Sequence, residues 1–178
     1  DLCTGSGCIG IAMAAYNPDW RVDLADIDAD ALALAGENIA RHQLGDRVEA
    51  IRSDLFAGLH GRRYDLIVSN PPYVTGAEYA ALPAEYAHEP RRGLLAGDDG
   101  LDLCLRILDG AAAHLSEDGL LIVEVGESER ALADLLPQLP LVWLEFKVGA
   151  MGVFAVERAD LVAHAEAIRT AAAGRPKP

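Results

Sequence analysis

The stretch TGSGCIGIAMAAY, Thr4 to Tyr16, sets glycines at positions 5, 7 and 10 directly after the strand-like end DLC and directly before a helical pattern. Glycine lets the backbone turn tightly and approach a ligand, and a helix opening at such a turn presents unpaired N–H groups. The spacing G-x-G-x-x-G is the phosphate- and adenosine-facing turn of open α/β sheets. Alone it is a weak signal. Asp26 strengthens it by closing the next strand-like run, RVDLADI, where a carboxylate can accept hydrogen bonds from ribose hydroxyls. Together they indicate an adenosine-containing cofactor, with NAD and S-adenosylmethionine both open.

The rest of the chain alternates apolar runs with helical patterns, as a parallel sheet with crossover helices requires. The pattern predicts a helix over CIGIAMAAY, stopped by Asn17 and Pro18, and a second helix opened by Asp28 as N-cap and ending near Gly45. RVEAIRSD and YDLIVSN read as strands, LDLCLRILDGAAAHL as a helix, GLLIVEVG as a buried strand, and SERALADLLPQL as a helix broken by Pro137. The close differs. LVWLEFKV and GVFAVER are separated by too few residues for a crossover, which predicts an antiparallel hairpin, and DLVAHAEAIRTAAAG predicts a terminal amphipathic helix. Thr75 to Gly97 reads as a long irregular segment of the kind that carries function.

A chain of 178 residues with 51% hydrophobic content suits one domain with a substantial core, taken here as 1–178. The formal charge of −13 disfavours direct nucleic-acid binding, which depends on clustered Lys and Arg. Cys3, Cys8 and Cys104 lack metal or disulfide spacing and read as small buried hydrophobes. No run approaches the roughly 20 apolar residues needed to span a bilayer, so no membrane role is expected and a reducing, cytoplasmic setting fits. The glycine turn has no full strand ahead of it, which suggests a fragment of a longer protein.

The most apolar strand ends in SNPPYV, Ser69 to Val74. Prolines cannot continue a ladder, so the segment either ends the strand or builds a rigid polar claw at the carboxyl end, where open sheets bind ligands. An Asn-Pro-Pro-Tyr claw and a closing hairpin are foreign to an NAD domain and favour S-adenosylmethionine. DLCTGSG, ADID, SDLF and SNPPYV, in this order and spacing, resemble the HemK and PrmB family of protein glutamine N5-methyltransferases over nearly the whole chain. LPAEYAHEPRRGLLAGDDGLD and WLEFKVGAMGVFAVER look like its PrmB branch, which modifies a large-subunit ribosomal protein.

The resemblance implies a Rossmann-like, class I S-adenosylmethionine-dependent methyltransferase fold. Its mostly parallel seven-stranded sheet would end in an antiparallel hairpin, with the first strand truncated in this chain and a substrate-recognition domain upstream. It implies cofactor contacts from Cys3, Thr4, Gly5, Ser6, Gly7, Asp26, Asp54, Leu55 and Asn70. In the claw, the Asn70 side-chain oxygen and the Pro71 backbone oxygen would accept the two amide N–H hydrogens of the target. Tyr73 would pack on the flat amide, and Pro72 would hold the backbone in shape. Asp54 could equally be a turn residue.

Related tetrapeptides serve DNA adenine and RNA guanine enzymes, and a release factor is an alternative protein target. A noncatalytic binding module is the contrasting reading, disfavoured by the intact claw. His88 and Glu89 could shape a peptide groove or be ordinary loop residues, and Arg91 and Arg92 could meet a target backbone or simply be solvated. Glu124 could be buried with a partner or point to solvent. Asp98, Asp99 and Asp102 read as an acidic helix N-terminus. Neither a metal nor an oligomeric state is implied.

Overall fold

A computed structural model describes residues 1–73, 99–147, 149, 151–173 and 175. The chain divides into two compact units: Asp1–Arg62 with Val68–Asn70, and Arg63–Ile67 with Pro71–Pro178.

In the first unit, helix α1 (Cys8–Tyr16) follows the glycine turn and buries Gly10, Ile11 and Ala14. It ends where the sequence predicts: the Asn17 backbone N–H and side-chain amide both donate to the Met13 carbonyl, at 3.1 and 2.8 Å. The Arg47 guanidinium then donates to the Ala14 and Asn17 carbonyls at 2.6 and 3.2 Å, placing a cation at the negative end of the helix. Strand β1 (Val22–Asp26) pairs in parallel with β2 (Val48–Arg52), Val22 opposite Val48 and Asp26 opposite Arg52.

Between them runs α2 (Ala29–Arg41), whose N-cap Asp28 accepts from the Asp30 and Ala31 N–H groups. This helix stops at Arg41, short of the expected end near Gly45. Gln43, at φ 58°, turns the chain left-handed. Gln43 N–H then bonds the Ala40 carbonyl and Leu44 N–H the Ile39 carbonyl, each at 3.1 Å, the bond pair of a Schellman cap. The cap drops Leu44 onto Ile39 within a core that also holds Ile11, Ala14, Val22, Leu24, Ala35 and Val48. Burying Leu44 therefore decides the helix end, with Gln where glycine is usual.

Strand β3 (Tyr64–Ser69) has its last two residues in this unit. Leu2, 2% exposed, makes isolated parallel bridges to Ala25 and to Ser69.

The second unit contains α3 (Asp102–His114), β4 (Leu115–Glu124), a 3₁₀ turn (Gly126–Ser128), α4 (Glu129–Leu135), β5 (Val142–Leu144), β6 (Val153–Glu157), α5 (Arg158–Ala163) and α6 (Ala165–Ala173). The sheet order is β3-β4-β6-β5, with β6 antiparallel to both β4 and β5. The closing hairpin is thus present, although β5 keeps only three residues of the predicted LVWLEFKV run. Trp143 meets the fully buried Phe154 edge to face, centroids 5.5 Å apart, across the β5–β6 pair.

Helix α4 ends two residues before Pro137, as proline demands. The terminal helix expected over DLVAHAEAIRTAAAG is two helices, separated at His164. His164 has left the helical region (φ −109°, ψ 15°) while its N–H still bonds the Asp160 carbonyl, which ends α5 there.

Six strands are present among the described residues, fewer than the seven expected, because Leu2 contributes bridges and not a strand. The cysteines also differ from expectation. Cys104 is buried, its thiol pushed up in pKa by desolvation, but Cys3 is half-buried and Cys8 exposed, its sulfur 3.0 Å from the Ser6 hydroxyl at the open turn. No helix among the described residues is long and apolar enough to cross a membrane.

Candidate active site

In the first unit, three consecutive elements of the sequence converge on Asp26. The Thr4 N–H bonds the Ala25 carbonyl at 3.2 Å, which lays the glycine turn against the end of β1. The Gly5 N–H then donates to Asp26 Oδ2 and the Asp28 N–H to Asp26 Oδ1, at 2.8 and 2.9 Å. The Ser53 N–H bonds the Asp26 carbonyl at 2.8 Å, bringing the end of β2 to the same point. One carboxylate thus fixes the turn and the β1–α2 link, and an ionised carboxylate retains lone pairs for further donors.

The turn is left-handed at Cys3, Gly5 and Gly7 (φ 55°, 57° and 83°). A Cβ on Gly7 would stand 2.9 Å from both Ile11 Cδ1 and Leu24 Cδ1, so that glycine allows helix and strand to approach. A Cβ on Gly5 would meet nothing within 4 Å among the described residues, so the turn is open to them on that side. Asn38 donates to the Ser6 carbonyl at 3.0 Å and secures the turn from α2.

Asp1 is a residue that sequence reasoning missed. Its Oδ2 accepts from the Thr4 hydroxyl and the Gly10 N–H at 2.5 and 3.0 Å, while its Oδ1 is buried with no hydrogen-bond partner among the described residues. Ile27, next to Asp26, is 50% exposed and offers an apolar surface at the strand end. Leu55 is buried in left-handed backbone (φ 48°), held by the Ser53 hydroxyl donating to its carbonyl at 2.5 Å, and Asp54 beside it is exposed. Asn70 is exposed at the end of β3.

The second unit holds the remainder of the tetrapeptide: Pro71 is buried, and Pro72 and Tyr73 are half-buried. The Tyr73 hydroxyl donates to Glu124 Oε1 at 3.1 Å. This settles the two readings of Glu124 in favour of a partnered carboxylate. The Tyr73 ring lies over Gly126: a Cβ there would stand 2.6 Å from Cε2 and 2.9 Å from Cδ2. Gly100, at φ 74°, lies against the Tyr73 carbonyl, where any Cβ would collide.

The adjoining Asp99 is equally fixed. The Ser128 hydroxyl donates to the Asp99 carbonyl at 2.9 Å, and Arg175 makes a two-point ion pair with the Asp99 carboxylate while also reaching Asp102 at 3.3 Å. The Arg175 guanidinium holds the Asp99 carboxyl below the usual carboxylate range. Asp99 and Asp102 are therefore more than a favourable helix N-terminus. Gly100, Gly126 and Arg175 are further residues that sequence reasoning missed. The two glycines lie against Tyr73, Arg175 holds the adjoining Asp99, and the one available signal was the glycine that follows the end of β4. His88, Glu89, Arg91, Arg92, Asp98 and the Thr75 to Gly97 segment lie outside the described residues, and no group of metal-ligating side chains occurs among those described.

Over 175 residues the chain is 65% identical to a protein of Xylella fastidiosa named ribosomal protein uL3 glutamine methyltransferase, covering 98% of this chain and 56% of that one. A protein of the same name from Xanthomonas campestris is 63% identical over 175 residues, with the same coverage of 98% and 56%. The chain thus spans a little over half the length of the curated relatives it matches. A solved methyltransferase from Pyrococcus furiosus shares the fold, with a TM-score of 0.63 at 20% identity, over 88% of this chain and 73% of that one. Residues 1–89, half of the sequence, match the family described as methyltransferase small domain, and the chain belongs to that family.

Proposed function

We propose that the protein transfers a methyl group from S-adenosylmethionine to the side-chain amide nitrogen of a glutamine in the large-subunit ribosomal protein uL3. The reading rests on the 65% identity with a uL3 glutamine methyltransferase, which also favours a ribosomal protein over a release factor. Residues 1–178 serve as the catalytic domain, and the length of the relatives that this chain does not span is where a substrate-recognition domain belongs. Leu2, with its parallel bridges on both sides, stands for the remaining strand of a seven-stranded sheet. A cytoplasmic location is part of this reading, in keeping with three cysteines that form no disulfide among the described residues.

The first unit fits an adenosine-containing cofactor: the turn is open at Gly5 among the described residues, Asp26 retains acceptor capacity, and the buried Asp1 Oδ1 lacks a donor among them. Cys3 to Gly7, Asp26, Asp54, Leu55 and Asn70 would hold it. S-adenosylmethionine, when bound, supplies an electrophilic methyl on a sulfonium.

An amide nitrogen is a poor nucleophile because its lone pair is delocalised into the carbonyl, so positioning has to lower the barrier. The Asn70 side-chain oxygen and the Pro71 backbone oxygen accept the two N–H hydrogens and aim the nitrogen. The same oxygens stabilise the positive charge that develops on it. Tyr73 packs on the amide plane, its ring held by Glu124 and Gly126, and Pro72 limits the backbone's alternatives.

The test is to incubate the full-length protein with S-adenosylmethionine and, separately, uL3 and a release factor, and to map added methyl by peptide mass spectrometry. Methyl on a uL3 glutamine, abolished by Asn70→Ala with cofactor binding intact, is the expected result. Methyl on the release factor would overturn the choice of target. No transfer to either protein, with the cofactor bound, would overturn the activity.

A further inference from the structure

A groove of ≈ 760 Å³ opens in the second unit between the 3₁₀ turn, the start of α4 and the β5–β6 hairpin. That volume falls within the range of about 300–1,000 Å³ usual for ligand sites. Among the described residues its polar rim carries Glu127, Glu129 and Glu145, all exposed, against one cation, Arg130. Arg130 is 94% exposed and pairs with Asp134 at 4.0 Å, so the rim remains acidic. Its apolar lining includes Phe146 and Met151, which leave 53% and 61% of their surface in water. Large apolar side chains left uncovered beside carboxylates that have no ion-pair partner among the described residues suit a partner that is both apolar and basic.

Gly126 joins this groove to the methyl-acceptor residues. It lines the groove, and the Tyr73 ring lies directly over it. We propose that the groove docks a basic, extended segment of the methyl-acceptor protein, Lys or Arg on the three glutamates and an apolar neighbour on Phe146 and Met151, beside the glutamine at Tyr73. The inference rests on the proposed glutamine methylation and names the specificity of that same site. An extended chain advances about 3.3–3.6 Å per residue, so the residues read are those within a few positions of the target glutamine.

The test is direct binding to the full-length protein of a fluorescent peptide, Gln flanked by two Lys, beside its neutral counterpart with norleucine in both places. The Lys peptide should bind tighter by roughly fivefold at low salt, as two exposed ion pairs allow, and lose that advantage in 0.5 M salt. The double variant Glu127→Gln, Glu145→Gln, which leaves Glu129, should cut the difference to less than about twofold while leaving S-adenosylmethionine affinity unchanged, and Phe146→Ser should weaken both peptides alike. Equal binding of the two peptides by the wild type, or an undiminished preference in the double variant, overturns the proposal. So does a dimer in sedimentation that Phe146→Ser dissociates, since a second copy would then fill the groove. Charge-dependent peptide binding without methyl transfer would uphold the groove and overturn the activity reading.

Discussion

Replacing Gly126 with alanine tests whether the position of the Tyr73 ring matters to methyl transfer. The residue sits at φ 54°, where a side chain costs roughly 1–2 kcal/mol from local sterics alone. The new Cβ would stand 2.6 Å from Tyr73 Cε2, about 0.8 Å inside ordinary van der Waals contact. The backbone beneath cannot retreat freely, because Gly152 lies so close to the Gly126 carbonyl that it too has no room for a Cβ. The ring must therefore move by nearly an ångström, stretching the 3.1 Å bond to Glu124. A displacement of about 1 Å in a positioning group lowers rate about a hundredfold. The expected result for Gly126→Ala is thus a kcat about 10²-fold lower in single-turnover methyl transfer, unchanged S-adenosylmethionine affinity by calorimetry, and stability lower by about 1–3 kcal/mol in urea. A folded variant with wild-type kcat would refute the reasoning, since the ring could then move without consequence.

Asp26→Asn removes the carboxylate that accepts from both Gly5 and Asp28, and calorimetry should report cofactor affinity weakened at least about tenfold, charge-assisted bonds being worth about 1.5–3 kcal/mol each. Gly10→Ala forces a methyl into Leu24 and Val22 within the core, and urea unfolding should show a loss of about 1–3 kcal/mol. Arg175→Ala should lower stability by about 1–3 kcal/mol at pH 7 by leaving Asp99 and the largely buried Asp102 without their cation. The same pair sets a pH dependence. Asp99 has a depressed folded pKa, so its contribution is complete above the unfolded value of about 3.9 and is lost as pH falls through the lower folded value. Wild type and Arg175→Ala should therefore converge in stability in acid titrations below about pH 4.

Local chemistry made much of this protein readable from its sequence. Asn17 stops α1 through bonds to a carbonyl four residues back, with Pro18 unable to continue the helix, and Asp28 caps α2 through N–H groups two and three residues on. The glycine turn and Asp26 were legible for the same reason, since each residue's backbone demand is written in its own type. SNPPYV marked the end of its strand because proline cannot extend a ladder. The partners of that segment were not legible. Tyr73 meets Glu124 across 51 positions and Asp99 meets Arg175 across 76, and no periodicity or spacing encodes which of many acids a given hydroxyl or guanidinium will reach. Tertiary packing also set the α2 terminus, because burying Leu44 outweighed the helical tendency of HQLG, and it reduced the expected LVWLEFKV strand to Val142–Leu144. The sequence by itself thus determined the order of the elements and the glycine turn, because each rests on residue types and on contacts within a few positions. Only the folded chain decided which distant side chains hold Tyr73, because that choice is made by packing many residues at once.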